Sequence, residues 1–247
     1  KFIAIWQKET LSYFISPTAY IIAGIFALLS GYFFYTDLLF FDLWNVKQTS
    51  LSEGLWMYFF NDLRFVIILT VPLLTMRIFA EEKKQNTLEI LQSYPVRSTE
   101  LFMGKLAACM TFYVFLVALT VLCPILLSVI WDIEILPLLA AYLGLLLLGL
   151  SFVSCGMFIS SLTENQVIAG ISTFGVLIFL WFVSWNQGIA DEKSVRILVE
   201  ISAFDHFVNF TKGVIELKDL SYFILFSLFF GSLCLLSLDK RKLEKFL

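Results

Sequence analysis

The chain has 247 residues, is 60% hydrophobic and has a mean hydropathy of +0.88, against an apolar share of roughly 45–50% in soluble domains. This excludes a soluble globular domain and points to a polytopic membrane protein. The net charge of -3 gives no basic surface of the kind nucleic acid requires, so the placement of the charges carries more than their sum.

Residues 1–16 mix Phe2, Ile5, Trp6, Leu11, Tyr13 and Phe14 with Lys1, Lys8 and Glu9, a pattern suited to a helix at the membrane interface rather than across it. Polar residues interrupt this stretch where a signal peptide needs a continuous apolar core, so the first span is expected to stay in the mature chain. Pro17, after Ser16, is expected to end this helix and start the crossing. A bilayer core of ~30 Å needs about 20 apolar residues, and six segments fit: about 18–35, 55–79, 101–130 with a kink near Pro124, 136–161, 166–185 and 220–238. The expected fold is therefore all-α, one transmembrane domain over residues 1–247. With both ends inside, the cytosolic side carries Lys1, Lys8, Arg77, Lys83, Lys84, Arg97, Lys105, Lys240, Arg241, Lys242 and Lys245, eleven of the 17 basic residues, which favours cytoplasmic termini.

No Asp, Glu, Lys, Arg or His occurs in 18–36, 65–76, 106–131, 135–163, 165–190 or 220–238, so the spans offer no titrating group through which an ion gradient would act. Asp62 and Arg64, near the outer end of the second span, read as a local ion pair or as snorkelling side chains. Cys109, Cys123, Cys155 and Cys234 sit in apolar runs without C-x-x-C spacing and read as small buried hydrophobes. The 27 phenylalanines suggest lipid-facing and interface-anchoring roles first. Ala140 with Gly144, and Ala169 with Thr173, have the four-residue spacing that lets helices approach. No P-loop, H-E-x-x-H or G-x-S-x-G is present; Gly104-Lys105 lacks both the earlier Gly and the following Ser or Thr.

The charged stretch after the second span is the most informative. Residues 77–85 are expected to carry the helix out into water. Asn86 tolerates a left-handed conformation and, with Glu89 three positions on, also suits an N-cap. A short helix over about 87–94 follows, with Leu88 and Leu91 on one face, ended by Pro95. Ser98 is expected to cap the next helix, with Glu100 in its first turn. The hairpin over 77–100 thus places a capped amphipathic helix between two spans.

The run PLLTMRIFAEEKKQNTLEILQSYPVRSTELFMGKLAA resembles the membrane subunits of ABC-2-type ABC transporters, particularly the group of the gliding-motility permease GldF. ETLSYFISPTAYI at the start and SSLTENQVIAG after the fourth span resemble the same family. Asn86 stands where that family usually has Gly. The resemblance implies that the hairpin is a coupling helix seated on a separate ATP-hydrolysing subunit, with Glu81, Glu82, Thr87, Leu88, Glu89, Leu91 and Pro95 at the contact and Glu9 as a second contact. It further implies a complex of two permeases, two copies or a related pair, with an ATPase dimer that holds the ATP and Mg, while this chain binds no cofactor or metal. The location implied is a bacterial inner membrane, in contact with its lipids and with room for a periplasmic accessory subunit.

Between the fifth and sixth spans, residues 187–219 are expected to form a short external, re-entrant-like segment. Ser202 with Asp205 reads as a capping box and Gly213 as a C-cap, giving a helix over about 203–212. Its apolar face, including Phe204, Phe207 and Phe210, either dips into the outer leaflet or packs between spans; the resemblance implies that these residues close the outer mouth. The Asp205-His206 dipeptide is a weak candidate for an intramembrane enzyme. A gradient-driven carrier, or a mechanical or signalling complex that transports nothing, remain rivals to the ATP-driven permease.

Overall fold

The structure, a computed structural model, describes residues 1–43, 52–87, 97–131, 133–184 and 202–244. These residues are helical with no strand among them: α1 (Phe2–Ile15), α2 (Pro17–Leu43), a π-helical turn (Ser52–Trp56) leading into α3 (Met57–Thr75), α4 (Ala80–Lys84), α5 (Ser98–Thr120), α6 (Leu122–Leu127), α7 (Ile135–Leu162), α8 (Gln166–Ser184), α9 (Ala203–Thr211) and α10 (Leu217–Glu244). Six stretches are long and apolar enough to cross a membrane: Pro17–Leu43, Gly54–Lys84, Ser98–Leu127, Ile135–Leu162, Gln166–Val183 and Leu217–Lys240. The chain is a multi-pass membrane protein.

Prolines set two of the breaks. Ser16 is extended (φ -70°, ψ 126°) before Pro17, the first residue of α2. Pro124 offers no N–H to the Thr120 carbonyl four residues back, and the third crossing is interrupted at Val121, between α5 and α6. The first crossing runs eight residues past its expected end at Tyr35, because Asp37 and Asp42 continue the helix rather than stop it.

α7 is the axis of the bundle, packing on α3, α5, α8, α9 and α10. Its small residues admit the neighbours: a Cβ at Gly149 would strike the Tyr113 ring, at Gly156 the Thr75 side chain, and at Gly144 Phe210. Tyr113 gains from that approach a hydrogen bond to the Leu145 carbonyl (2.8 Å). Gly144 thus serves contact within the chain, with α9. The phenylalanines divide: Phe65, Phe115, Phe179, Phe182 and Phe229 are exposed, as a lipid-facing role requires, whereas Phe59, Phe60, Phe79, Phe112, Phe152, Phe207 and Phe223 are buried. Lipid tails are as apolar as these rings, so close ring packing, not escape from water, holds them inside.

Candidate functional site

The basic end of the bundle is built around an interruption in the second crossing. After Thr75 the backbone turns through 76–79 before α4 begins, and this leaves the Phe79 and Ala80 N–H groups without helical partners. Ser160 Oγ on α7 accepts from both at 3.2 Å and donates to the Met76 carbonyl at 3.3 Å. The Lys83 ammonium donates to the Ser161 carbonyl, and Ser237 Oγ on α10 donates to the same oxygen at 3.3 Å. Residues 78–80 and 83 are accordingly buried against α7, so the expectation that 77–85 enters water is corrected for these four, while Lys84 and Gln85 are exposed.

Lys105 is the hub of this end. Its side chain is 2% exposed, and its Nζ lies 2.8 Å from Glu82 Oε1, 3.3 Å from Glu9 Oε1 and 3.1 Å from the Ile78 carbonyl, with the Phe79 ring centroid 5.5 Å away. One cation thus ties α1, α5 and the segment after α3 together. Gly104, the preceding residue, makes the approach possible: a Cβ there would meet Ile5 Cγ2 at 2.8 Å. Further along, Trp6 Nε1 donates to Thr111 Oγ1 (3.0 Å), and Tyr13 and Phe14 pack on Phe112. Tyr13 donates its phenol to the Leu74 carbonyl (3.1 Å), and burial pushes that phenol well above its ordinary pKa, which keeps the proton in place. Arg77 Nη1 donates to Thr18 Oγ1 at 3.0 Å. The three sequence stretches singled out above, around Ser16-Pro17, Thr75 to Lys84 and Ser160-Ser161, therefore meet in one layer.

The family model for the ABC-2 family transporter protein matches residues 3–214. The chain belongs to the ABC-2 family. It is thus the membrane-spanning component of an ABC transporter, in a family whose members of this kind are permeases and not catalysts. No curated protein matches the chain.

The ABC-2 site residues expected from sequence divide into three groups. Glu9 and Glu82 face inward onto Lys105, while Glu81 accepts from the Gln85 amide (3.4 Å) and Thr87 is exposed, its hydroxyl donating to the Glu82 carbonyl at 3.3 Å. Asn86, at φ 56°, holds the left-handed turn expected of it. Leu88, Glu89, Leu91 and Pro95, with the short helix expected over 87–94, lie outside the described residues. Ser98 is not the cap of α5: it is the first helical residue, Glu100 Oε2 accepts from the Arg97 N–H (3.2 Å), and the Ser98 hydroxyl pairs with Asp239 on α10. Lys105 and Ser160 were not singled out from the sequence, although both stand in the stretches that carry the resemblance.

At the opposite end, Phe204, Phe207 and Phe210 are all buried on α9, which packs between spans rather than into the leaflet. Ser202 Oγ accepts from the Phe204 N–H (3.3 Å), and Gly213 turns at φ 77° after the last residue. Phe204 packs against Phe152, about 26 Å along α7 from its start by the helical rise, while Gly213 sits beside Pro137. α9 therefore starts deep in the bundle and runs back out along α7. It carries polar groups with it. His206 Nδ1 lies 2.6 Å from Asp219 Oδ1, Asn209 donates to Asp219 Oδ2 (2.8 Å), and Tyr222 stacks on the imidazole. His206 is thus bonded to Asp219, and the reading of Asp205-His206 as a catalytic pair gains no support from this geometry. Of the two readings given for Asp62 and Arg64, the close ion pair does not form: Arg64 Nε donates to the Asn61 carbonyl (3.0 Å) and its guanidinium lies over the Phe204 ring at 5.6 Å.

Proposed function

We propose that this chain is the permease half of an ATP-driven export complex of the ABC-2 type in a bacterial cytoplasmic membrane, similar to the gliding-motility group. Two such subunits flank a cavity, and a dimer of separate ATPase subunits, which holds ATP and Mg, grips the hairpin over 77–100 from the cytosol. The observation that supports this is the Lys105 hub. A push at Glu81 or Thr87 reaches α5 through Glu82 and α1 through Glu9, and reaches α7 through Ser160 and Ser161. The segment over 77–87 is thus mechanically continuous with three helices at once, which is what a transmission element needs. On the outer side, α9 with Phe204, Phe207 and Phe210 acts as the gate that the stroke opens.

Co-purification with a nucleotide-binding partner, followed by measurement of that partner's ATPase rate, tests the reading. Glu89→Ala is expected to leave insertion intact and abolish stimulation by the permease. Unchanged stimulation would remove the basis for assigning the hairpin to the ATPase.

A further inference from the structure

A cavity of about 460 Å³ lies between α1, the first turns of α2 and the segment from Leu73 to Thr87. Its lining is graded in polarity. Ile22 and Leu73 are at one end, a turn deeper along their helices than Thr18 and Arg77, and Leu73 is 39% exposed on the apolar flank. Lys8, Arg77 and Glu81 are at the other. This order follows that of a leaflet, from acyl chain to headgroup.

The donors of the cavity are not all used. Arg77 gives Nη1 to Thr18, but its Nε is buried and has no acceptor. Lys8 has only a loose contact, 3.9 Å, with Glu9, and its side chain is 71% exposed. Of the neighbouring carboxylates, Glu9 and Glu82 each place Oε1 on Lys105, Glu82 Oε2 is buried without a partner, and Glu81 accepts from the Gln85 amide. A buried guanidinium nitrogen without a partner calls for an acceptor, and the fork of an arginine matches the oxygens of a phosphate.

We infer that this cavity is a binding site for a membrane phospholipid, with the headgroup phosphate on Arg77 and Lys8 and an acyl chain along Ile22 and Leu73. The lipid wedges α1 against α2 beside the hub. The lining pairs Lys8, Arg77 and Lys105 with Glu9, Glu81 and Glu82, so the phosphate is held by the two cations outside the Lys105 hub, and the apolar end distinguishes a lipid from a free phosphate ion. The site is independent of the ATPase reading, since it is complete within one chain.

The test uses the full chain purified in detergent and depleted of lipid. Phosphatidylethanolamine is expected to raise the melting temperature by about 5–10 °C at a hundredfold excess over its dissociation constant, while diacylglycerol, which lacks the phosphate, leaves it unchanged. Arg77→Gln is expected to lose the shift and to lose the bound-lipid mass in native mass spectrometry. Ser12→Phe, which fills the cavity from α1 and leaves Arg77 in place, is expected to do the same and decides the matter if Arg77→Gln does not fold. Equal stabilisation by diacylglycerol, a full shift retained in Arg77→Gln or Ser12→Phe, or an equal shift with inorganic phosphate would each overturn the assignment.

Discussion

Replacing Lys105 with Met removes the cation but keeps most of the packing volume. Glu9 and Glu82, 3.3 and 2.8 Å from the ammonium and each 18% exposed in their side chains, would then face each other across at most about 6 Å. At an effective dielectric constant of about 20, two carboxylates that far apart repel by ~3 kcal/mol, and each lost ammonium contact had attracted by ~5–6 kcal/mol. Desolvation of the buried ammonium takes back several kcal/mol of that attraction, so the net loss is set at about 3–5 kcal/mol, the range for a buried pair broken from one side. For a protein of this size that lowers the melting temperature by about 6–20 °C. The triple variant Glu9→Gln, Lys105→Met, Glu82→Gln leaves no charge stranded and is expected to recover most of the loss, read by thermal unfolding in detergent. It is also expected to remain uncoupled when the ATPase rate is measured with the partner present. If the triple variant melts as low as Lys105→Met, the instability comes from the lost Ile78 contact and not from the stranded carboxylates, and the electrostatic reasoning fails.

Ser160→Ala leaves the Phe79 and Ala80 N–H groups unpaired and should cost about 1–3 kcal/mol; faster amide exchange confined to 79–80 is the local signature, and unchanged exchange there refutes the patching role. At Asn86, Gly should be neutral or slightly stabilising and Ala should cost about 1 kcal/mol, because the backbone sits at φ 56°; chemical denaturation separates the two. Gly144→Ala drives a methyl group into Phe210 and should cost about 1–3 kcal/mol while loosening α9, detected as increased labelling of a cysteine placed at Thr211. Asp219→Ala leaves His206 and Asn209 without their shared acceptor, and a loss of about 2–3 kcal/mol in thermal unfolding is expected.

The crossings were legible because their signal is local: a run of apolar residues of sufficient length, opened by Pro17 or interrupted at Pro124, needs no knowledge of the rest of the chain. The same holds for the turn at Asn86 and for the caps Ser202 and Gly213 of α9. What the sequence did not reveal depends on residues far apart. Lys105 looks like one more cation at the end of a span until Glu9 and Glu82 are brought to it, and Ser160 looks like an ordinary helical serine until a broken helix is laid beside it. The depth of α9 was hidden for a related reason. At nine residues, with Asp205 and His206 in it, it is too short and too polar to register as membrane-embedded, and the Asp219 that stabilises its buried histidine comes from another helix. The stretches 135–163 and 220–238 carry no ionisable group in their sequence, yet α9 brings His206 to the level one turn above the Ser151–Phe223 contact between them.

The seat of α1 also imposes an order on biosynthesis. Trp6 and its partner Thr111 are 105 positions apart, so at roughly 5–20 residues per second the ribosome needs about 5–20 s to make the second after the first. During that interval the first helix has only α2 and the Leu74 end of α3 to pack on, and Phe2, Ile3, Leu11 and Ile15, which remain exposed once α5 arrives, suit it to the membrane surface meanwhile.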